Sequence, residues 1–420
     1  MSKEYVVIGG GISGLYVAYR IIQKYPKSKI TVIEADTELG GRIRSHREEG
    51  FMIEKGAARF SETHKRLIRL LKELDLTSKM VVLPTTREFV YQGKKTSYPL
   101  HSKLQYVIRK VQNKYDLSKV TFFQLCVDHL PGGYEEACQL VACFGFDCEM
   151  MELNAKACIT MFRGDLLSKN KYYVLSCGLS EMIHRLEKFL REKGVVFKMG
   201  CRVTDIQTNK VTYVDSKDTS HTLHSPKIVC TLPYNALIKL SLFRDESWVH
   251  TISPVPLHRI YVKYDKPWFK GSPKITTDNP LRYIIPMSEE DSVIMYYTDS
   301  YYADYWKRWN DVGETKMLEE LHGELENVMS ASYRKRLKAS KVLKVKSCFW
   351  EGGVHILKPG HKMPDVSNPF PGIYVCGEGY SNYQDWIEGS LQSSDKVCKR
   401  LGVTKSGRST RKKRTRQRHK

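Results

Sequence analysis

With 420 residues, 41% of them hydrophobic, the chain exceeds one ordinary hydrophobic core, so two or three domains are expected. No apolar run is long enough for a membrane-spanning helix, and the first strand begins too early to leave room for a signal peptide, so a cytoplasmic location is expected. The formal charge of +22 is uneven: "KSGRSTRKKRTRQRHK" (405–420) carries nine lysines or arginines and no acid, which leaves +13 on the rest. Such a run cannot fold alone and reads as a disordered appendage that starts where the last helix stops near Leu401 and Gly402. The eleven cysteines form no C-x-x-C pair; Cys138, Cys143 and Cys148, five apart, do not suit zinc. No metal site is expected, and the thiols read as reduced.

The first element is "VVIGGGISGL" (6–15), an apolar strand that runs into glycines and then into a helix. Gly9 suits a tight strand-to-helix turn, Gly11 lets the backbone approach a pyrophosphate, and Gly14 lets helix and strand pack closely. Ser13 is placed with them as a cofactor-binding residue. A second strand, "KITVIEA", ends at Glu34, twenty residues beyond Gly14. A carboxylate there accepts hydrogen bonds from a ribose diol and repels a 2′-phosphate, which disfavours NADP and leaves NAD and FAD.

Next, "THKRLIRLLKELDL" reads as an amphipathic helix, and residues 85–170 turn to helical segments such as "SKLQYVIRKVQNKY" and "YEEACQLVACFGF". The segment "LSEMIHRLEKFLREKG" is a helix with Met182, Ile183, Leu186, Phe189 and Leu190 on one face and Gly194 at its C-terminal end. Strand patterns follow in "VVFKMGCRVTDIQ", "KVTYV" and "KIVCTLP", then in "RIYVKYDKPWF" and "YIIPM…SVIMYYT", which suggest a second sheet. The aromatic stretch "YYTDSYYADYWKRW" (296–309) suits either a pocket lining or a core. The last ordered section, "GIYVCGEGYSNYQDWIEGSLQSSDKVCKRL", reads as strand, loop and helix. Glycine-rich sites flanked by strands thus stand at both ends of the chain, as expected when discontinuous segments hold one long cofactor. That favours FAD.

The motifs "GGGISGL", "ELGGRIRS", "IEKGAARFSETH", "YYVLSCGLSEMI", "CRVTDI", "IVCTLP", "LHRIYVKYDKPWF", "FWEGGVH" and "GIYVCGEGYS…WIEGSLQS" occur in that order. Together they resemble the FAD-dependent amine oxidases of the flavin monoamine oxidase and polyamine oxidase superfamily, particularly the versions encoded by large DNA viruses. The resemblance covers residues 3 to about 402. It implies an α/β fold: a Rossmann-like FAD-binding domain built from discontinuous segments (1–84, 171–240 and 346–402), with a second α+β substrate domain. That second domain would have a helical part (85–170) and a sheet (241–345), and 403–420 would be a disordered basic tail.

By the same resemblance, Gly40, Gly41 and Arg42 carry the FAD past its pyrophosphate, and Gly56, Ala57, Ala58 and Arg59 run along the flavin ring. An ordinary ion pair is the competing role for Arg42 and Arg59. Val203 would meet the adenine through its main chain, Gly377 and Glu378 would hold the second phosphate and ribitol, and Trp386, Ile387 and the residues to Ser390 would start the helix facing the flavin pyrimidine. The flavin would be held non-covalently, since Val354 occupies the place where some members attach it through cysteine.

In the family, two aromatic rings flank an amine whose neighbouring carbon gives a hydride to the flavin, and dioxygen then yields hydrogen peroxide. The matching positions are Trp386 and His355; imidazole is a departure, smaller than phenol and titratable. Arg259 aligns with the lysine that usually holds a water at the flavin, and Lys263, of the same strand parity, is a substitute that reads more readily as solvated. The expected reaction is oxidation of a small-molecule amine of unspecified kind. The alternatives are a flavoenzyme of the protoporphyrinogen oxidase or desaturase type and a basic virion or nucleic-acid-associated protein with FAD as a structural ligand. The tail at 405–420 suits a non-specific nucleic-acid contact or a nuclear-import signal.

Overall fold

The computed structural model describes residues 3–48, 51–83, 86–112, 115–145, 147–163 and 170–403. The basic tail at 405–420 lies outside the described residues. A five-stranded parallel sheet forms the nucleotide half, in the spatial order Val196–Lys198, Lys29–Ile33, Glu4–Ile8, Ile228–Cys230 and Ile373–Val375. Its strands come from four separated stretches of chain. Parallel strands need helices on both faces, which is why "YVVI" and "IVC" are unbroken apolar runs and fully buried.

The helix Ile12–Lys24 packs beside Ser180–Glu192 and Ile387–Arg400, with Leu15, Ile21, Met182, Leu186 and Leu391 in one core. The apolar stripe of Ser180–Glu192 is buried as its spacing predicts, except that Phe189 stays half-buried, edge-on to Tyr19 at 4.9 Å. Gly194, at φ +78°, lies just beyond the end of that helix. A meander of Arg202–Gln207, Lys210–Val214 and Ser220–His224 carries Val203.

The second half is a seven-stranded sheet, in the order Val342–Leu357, Ile252–Tyr264, Val293–Asp299, Tyr283–Ser288, Lys274–Thr277, Arg87–Tyr91 and Lys94–Thr96. Strand alternation divides its faces. Ile260, Val262, Ile294 and Tyr296 pack under the helices Ser300–Val312 and Glu314–Val328, against Trp306, Met317 and Leu321. Arg259, Tyr261 and Tyr297 have the opposite parity, and the first two reach the nucleotide half by donating to the Glu54 carbonyl. The aromatic stretch at 296–309 is core in part: Tyr296 and Trp306 are buried, Tyr305 and Trp309 pack against that core, and Tyr301 is exposed.

Two boundaries differ from the sequence expectation. The stretch from 85 begins with a hairpin, Arg87–Tyr91 and Lys94–Thr96, that joins the second sheet before any helix starts. Its two-residue turn, Gln92 and Gly93, has positive φ at both positions, a geometry that suits hairpins. The strand Val342–Leu357 also runs across residue 345, where Val345 pairs with Val262, and its ladder with Ile252–Tyr264 shifts register between Trp350 and Val354, where Gly352 and Gly353 lie. Among the described residues, no helix is long and apolar enough to cross a membrane.

Candidate active site

At the first turn the three glycines have different reasons to be small. Gly9 has φ +102°, and an added Cβ would lie 2.5 Å from Thr231 Oγ1. At Gly14 a Cβ would meet the Gly9 carbonyl oxygen at 2.1 Å, so helix and strand touch through it. Gly11 caps the helix, yet around it an added Cβ finds only the Gly40 carbonyl oxygen, at 4.0 Å. The protein does not need a glycine there; an anion at a helix N-terminus does. Ser13 is buried in the first turn.

Glu34 ends its strand with the carboxylate accepting the N–H groups of Gly10 (2.6 Å) and Asp36 (2.9 Å). Gly40 (φ +113°) and Gly41 (φ +58°) turn the next segment back on the first, where Gly40 N–H donates to the Gly10 carbonyl at 2.9 Å. At the other end of the chain Gly377 N–H donates to Ser393 Oγ (3.0 Å), and a Cβ on Gly377 would meet nothing within 4 Å. Two open glycines in an otherwise close-packed pair of turns fit an extended dinucleotide that lies across both.

Deeper in, Arg42 donates to Glu378 (2.6 Å) and to the Gly353 carbonyl (3.0 Å). His355 hydrogen-bonds Glu378 on one side and receives the Tyr234 N–H at Nε2 (3.3 Å) on the other. Burial disfavours the ionised Glu378, but His355 and Arg42 outweigh it and hold the carboxyl down at about 2.

Trp386 caps the helix Ile387–Arg400 and is half-buried. His64 meets its ring edge-on at 4.7 Å, Tyr172 stacks at 6.3 Å, and the Arg59 guanidinium lies 5.9 Å from it and 5.6 Å from Tyr172. Glu388 fixes His64 there, since its carboxylate accepts the N–H groups of Arg66 (3.0 Å) and Leu67 (3.0 Å) in the first turn of Lys65–Glu73. A cavity of about 390 Å³ opens beside Trp386, lined among others by Asn154, Lys156, Thr160, His361 and Tyr383.

The structure therefore gathers Arg42, Glu378 and His355 in one cluster, and Arg59 and Trp386 in another. It does not bring the rings of His355 and Trp386 into contact: the neighbours of Trp386 are His64 and Tyr172, and His355 is 2% exposed under Glu378. Arg259 is 8% exposed, donates to the Glu54 carbonyl (3.1 Å) and lies 5.0 Å from the Tyr297 ring centre. Lys263, expected to be solvated, is half-buried on a strand paired with Val293 on one side and Lys344 on the other. Val203, Ala58 and Ile387 stand at the edge of the meander, in the loop before Phe60 and in the first helical turn, respectively.

Sequence reasoning missed Glu54, His64, Tyr172 and Asp385. Glu54 accepts Leu179 N–H (2.7 Å) and Ser45 Oγ–H (2.8 Å), and burial pushes its carboxyl up to about 7. Asp385 has φ +70°, and its carboxyl oxygens are buried without a hydrogen-bond partner among the described residues. Burial first, then Glu378 and Asp299, hold that carboxyl well above the usual range. The acid inside "IEKGAARF" and the one directly before Trp386 were the available signals.

A nucleotide half assembled from both ends of the chain, a sheet half facing it and glycines left open for a dinucleotide define an FAD-dependent oxidoreductase. Residues 12–402 match the model of the flavin containing amine oxidoreductase family, and the chain belongs to that family. A coproporphyrinogen III oxidase of Staphylococcus aureus is 25% identical over 274 residues, which cover 51% of this chain and 57% of that protein. The chain thus matches little more than half the length of that relative. An uncharacterised protein of Acanthamoeba polyphaga mimivirus is 22% identical over 96% of this chain and 95% of its own. Among solved structures, a putrescine oxidase redesigned in its cofactor binding aligns with a TM-score of 0.76 at 15% identity, covering 96% of this chain and all of that one. A putative protoporphyrinogen oxidase from Exiguobacterium aligns at 0.71 and 14%, covering 96% and 99%. These two likenesses establish the fold.

Proposed function

We propose that the protein is an oxidase that takes a hydride from the carbon next to an amine nitrogen and delivers the electrons to dioxygen, forming hydrogen peroxide and an imine that water hydrolyses. FAD, when bound, would supply the hydride acceptor and the two-electron route to dioxygen. The observation that carries the reading is the placement of Trp386, with Tyr172 stacked beside it and His64 edge-on, next to a cavity and at the start of the helix that follows Gly377. These rings would orient the substrate and exclude water. Arg42 and Glu378 would hold the cofactor, non-covalently since Val354 offers no thiol, and His355 would position Glu378. Arg259 would act as an anchor between the two halves, because its guanidinium is bonded to the Glu54 carbonyl. The test is anaerobic: a panel of monoamines, polyamines and amino acids is added to the flavoprotein, and the one that bleaches the flavin absorption is the substrate class. Bleaching by none of them removes this reading.

A second reading, dehydrogenation of a porphyrinogen, is favoured by the coproporphyrinogen III oxidase relative. A porphyrinogen in the same anaerobic panel decides between the two. For residues 405–420 we propose a non-specific contact with nucleic acid, supported by nine basic residues without an acid. A cytoplasmic site of action and nuclear import through the same segment belong to this proposal.

A further inference from the structure

Asp385 connects the cavity to the cluster around Glu378. It lines the cavity beside Trp386, and its N–H donates to Glu378 Oε2 at 3.2 Å. A substrate that passes from that cavity to a cofactor held by Arg42 and Glu378 would meet this residue on the way. Its backbone has φ +70°, where a side chain is uncommon and aspartate is among the better tolerated. Its neighbours in the same loop are satisfied. Gln384 accepts Leu357 N–H at 2.9 Å and donates to the Gly379 carbonyl at 2.8 Å, and Ser381 Oγ donates to the Glu378 carbonyl at 2.7 Å. Asp385 is the exception. The residue as a whole is half-buried, but both carboxyl oxygens are buried and accept no hydrogen bond among the described residues.

The nearby cations do not answer its charge. Arg42 and His355 both bond to Glu378. The cavity's Lys156, His361 and Lys362 are exposed and its Tyr383 is half-buried, and none of them is bonded to the carboxyl. Burial first, then Glu378 and Asp299, favour the protonated form; Arg42 and the main-chain N–H of His355 offset them only in part. A buried acid without a partner is costly, and a ligand that brings a cation relieves it. An amine is such a ligand, because it arrives as an ammonium ion at neutral pH. The carbon beside it can release a hydride only after the nitrogen has given up a proton and regained its electron pair.

We propose that Asp385 is the base that takes the proton of the substrate's ammonium group. The proposal rests on the oxidase reading above and deepens it by naming the residue that neutralises the amine. The incoming ammonium displaces the proton of the resting carboxyl to solvent. The carboxylate then takes a proton from the nitrogen: an N–H bond breaks, an O–H bond forms, and the nitrogen keeps the electron pair. That pair becomes the C=N bond as the hydride leaves the neighbouring carbon for the cofactor. Binding of one cationic amine thus releases one proton, and the carboxyl ends protonated as it began.

The test uses the FAD-loaded full chain with cumylamine and cumyl alcohol, two probes of similar shape that differ in charge. Neither can be oxidised beside its polar group, because that carbon carries no hydrogen. Cumylamine is expected to perturb the flavin absorption and to release about one proton per molecule bound, read with an indicator dye in weak buffer. Its apparent affinity should tighten about tenfold per pH unit as pH rises toward the titration of Asp385. Cumyl alcohol should release no proton. Asp385→Asn is expected to abolish the proton release and flatten the pH dependence of cumylamine binding. Should that variant lose the fold or the flavin, Asp385→Gly, which suits the positive φ, gives the same comparison. No cumylamine response in the wild type, binding without proton release, or wild-type release in Asp385→Asn or Asp385→Gly would overturn the proposal. If an amine bleaches the flavin while the release does not depend on Asp385, the oxidase reading stands and this proposal fails. If the release depends on Asp385 but no amine bleaches the flavin, the ammonium receptor stands and the oxidase reading fails.

Discussion

The Arg42 guanidinium and the Glu378 carboxylate meet at 2.6 Å although 336 residues separate them, which ties the first and last segments of the nucleotide half together at the inner end of the site. Glu378 is almost fully buried there, and Arg42 keeps 28% of its side chain accessible.

Breaking that pair should affect both stability and cofactor. Glu378→Gln leaves Arg42 and His355 without their acid and is expected to cost about 2–3 kcal/mol, less than a wholly buried pair because Arg42 is partly solvated. Because the Glu378 carboxyl is depressed to about 2, its contribution is present above the ordinary carboxylate range and is lost as pH falls from about 4.5 toward 2. Thermal unfolding followed from pH 2 to 5 should therefore be steeper in the wild type than in Glu378→Gln.

Glu54 is expected to act in the opposite direction. Its folded carboxyl titrates at about 7, against an ordinary value of 4.5, so the folded state holds the extra proton between those values. Stability should fall as pH rises from 4.5 through 7, by up to about 3 kcal/mol. Glu54→Gln should flatten this part of the pH–stability curve, as read from the midpoint of urea unfolding.

The glycines of the first turn should separate folding from cofactor binding. Gly14→Ala forces a Cβ against the Gly9 carbonyl and should lower the melting temperature even without FAD. Gly11→Leu points into open space and should leave the melting temperature of the FAD-free protein nearly unchanged while abolishing FAD uptake. Equal destabilisation by both would mean that Gly11 serves the fold alone.

Trp386→Ala should reduce turnover of whichever substrate bleaches the flavin by at least tenfold while flavin content per chain stays near the wild-type value. A parallel loss of flavin would make Trp386 a packing partner of His64 and Tyr172 only. Separately, His355→Tyr tests whether the imidazole shapes the pH profile of turnover; an unchanged profile would leave His355 a positioning role through Glu378.

Deleting residues 405–420 should weaken binding to any DNA and flatten its dependence on salt, because up to nine phosphate contacts are removed. Flavin content should not change. Unchanged affinity at low salt, measured by fluorescence anisotropy, would assign any binding to the rest of the chain.

What the amino-acid sequence determined by itself is carried by contiguous residues. The strand–glycine–helix turn at 6–15, the acid at Glu34, the apolar stripe of Ser180–Glu192 and the strand–loop–helix at the C-terminus all express a local period or a local turn, and each is legible within one stretch. The tertiary structure decided which distant residues meet. Strand pairing set Lys274 beside Arg87, and the packing of the sheet on the nucleotide half set Arg259 on the Glu54 carbonyl. His355 was drawn to Glu378 and Arg42, because a polar ring in a buried place needs partners that no local pattern names. Register and burial are relations between segments hundreds of residues apart, and they exist only once the two halves have closed on each other.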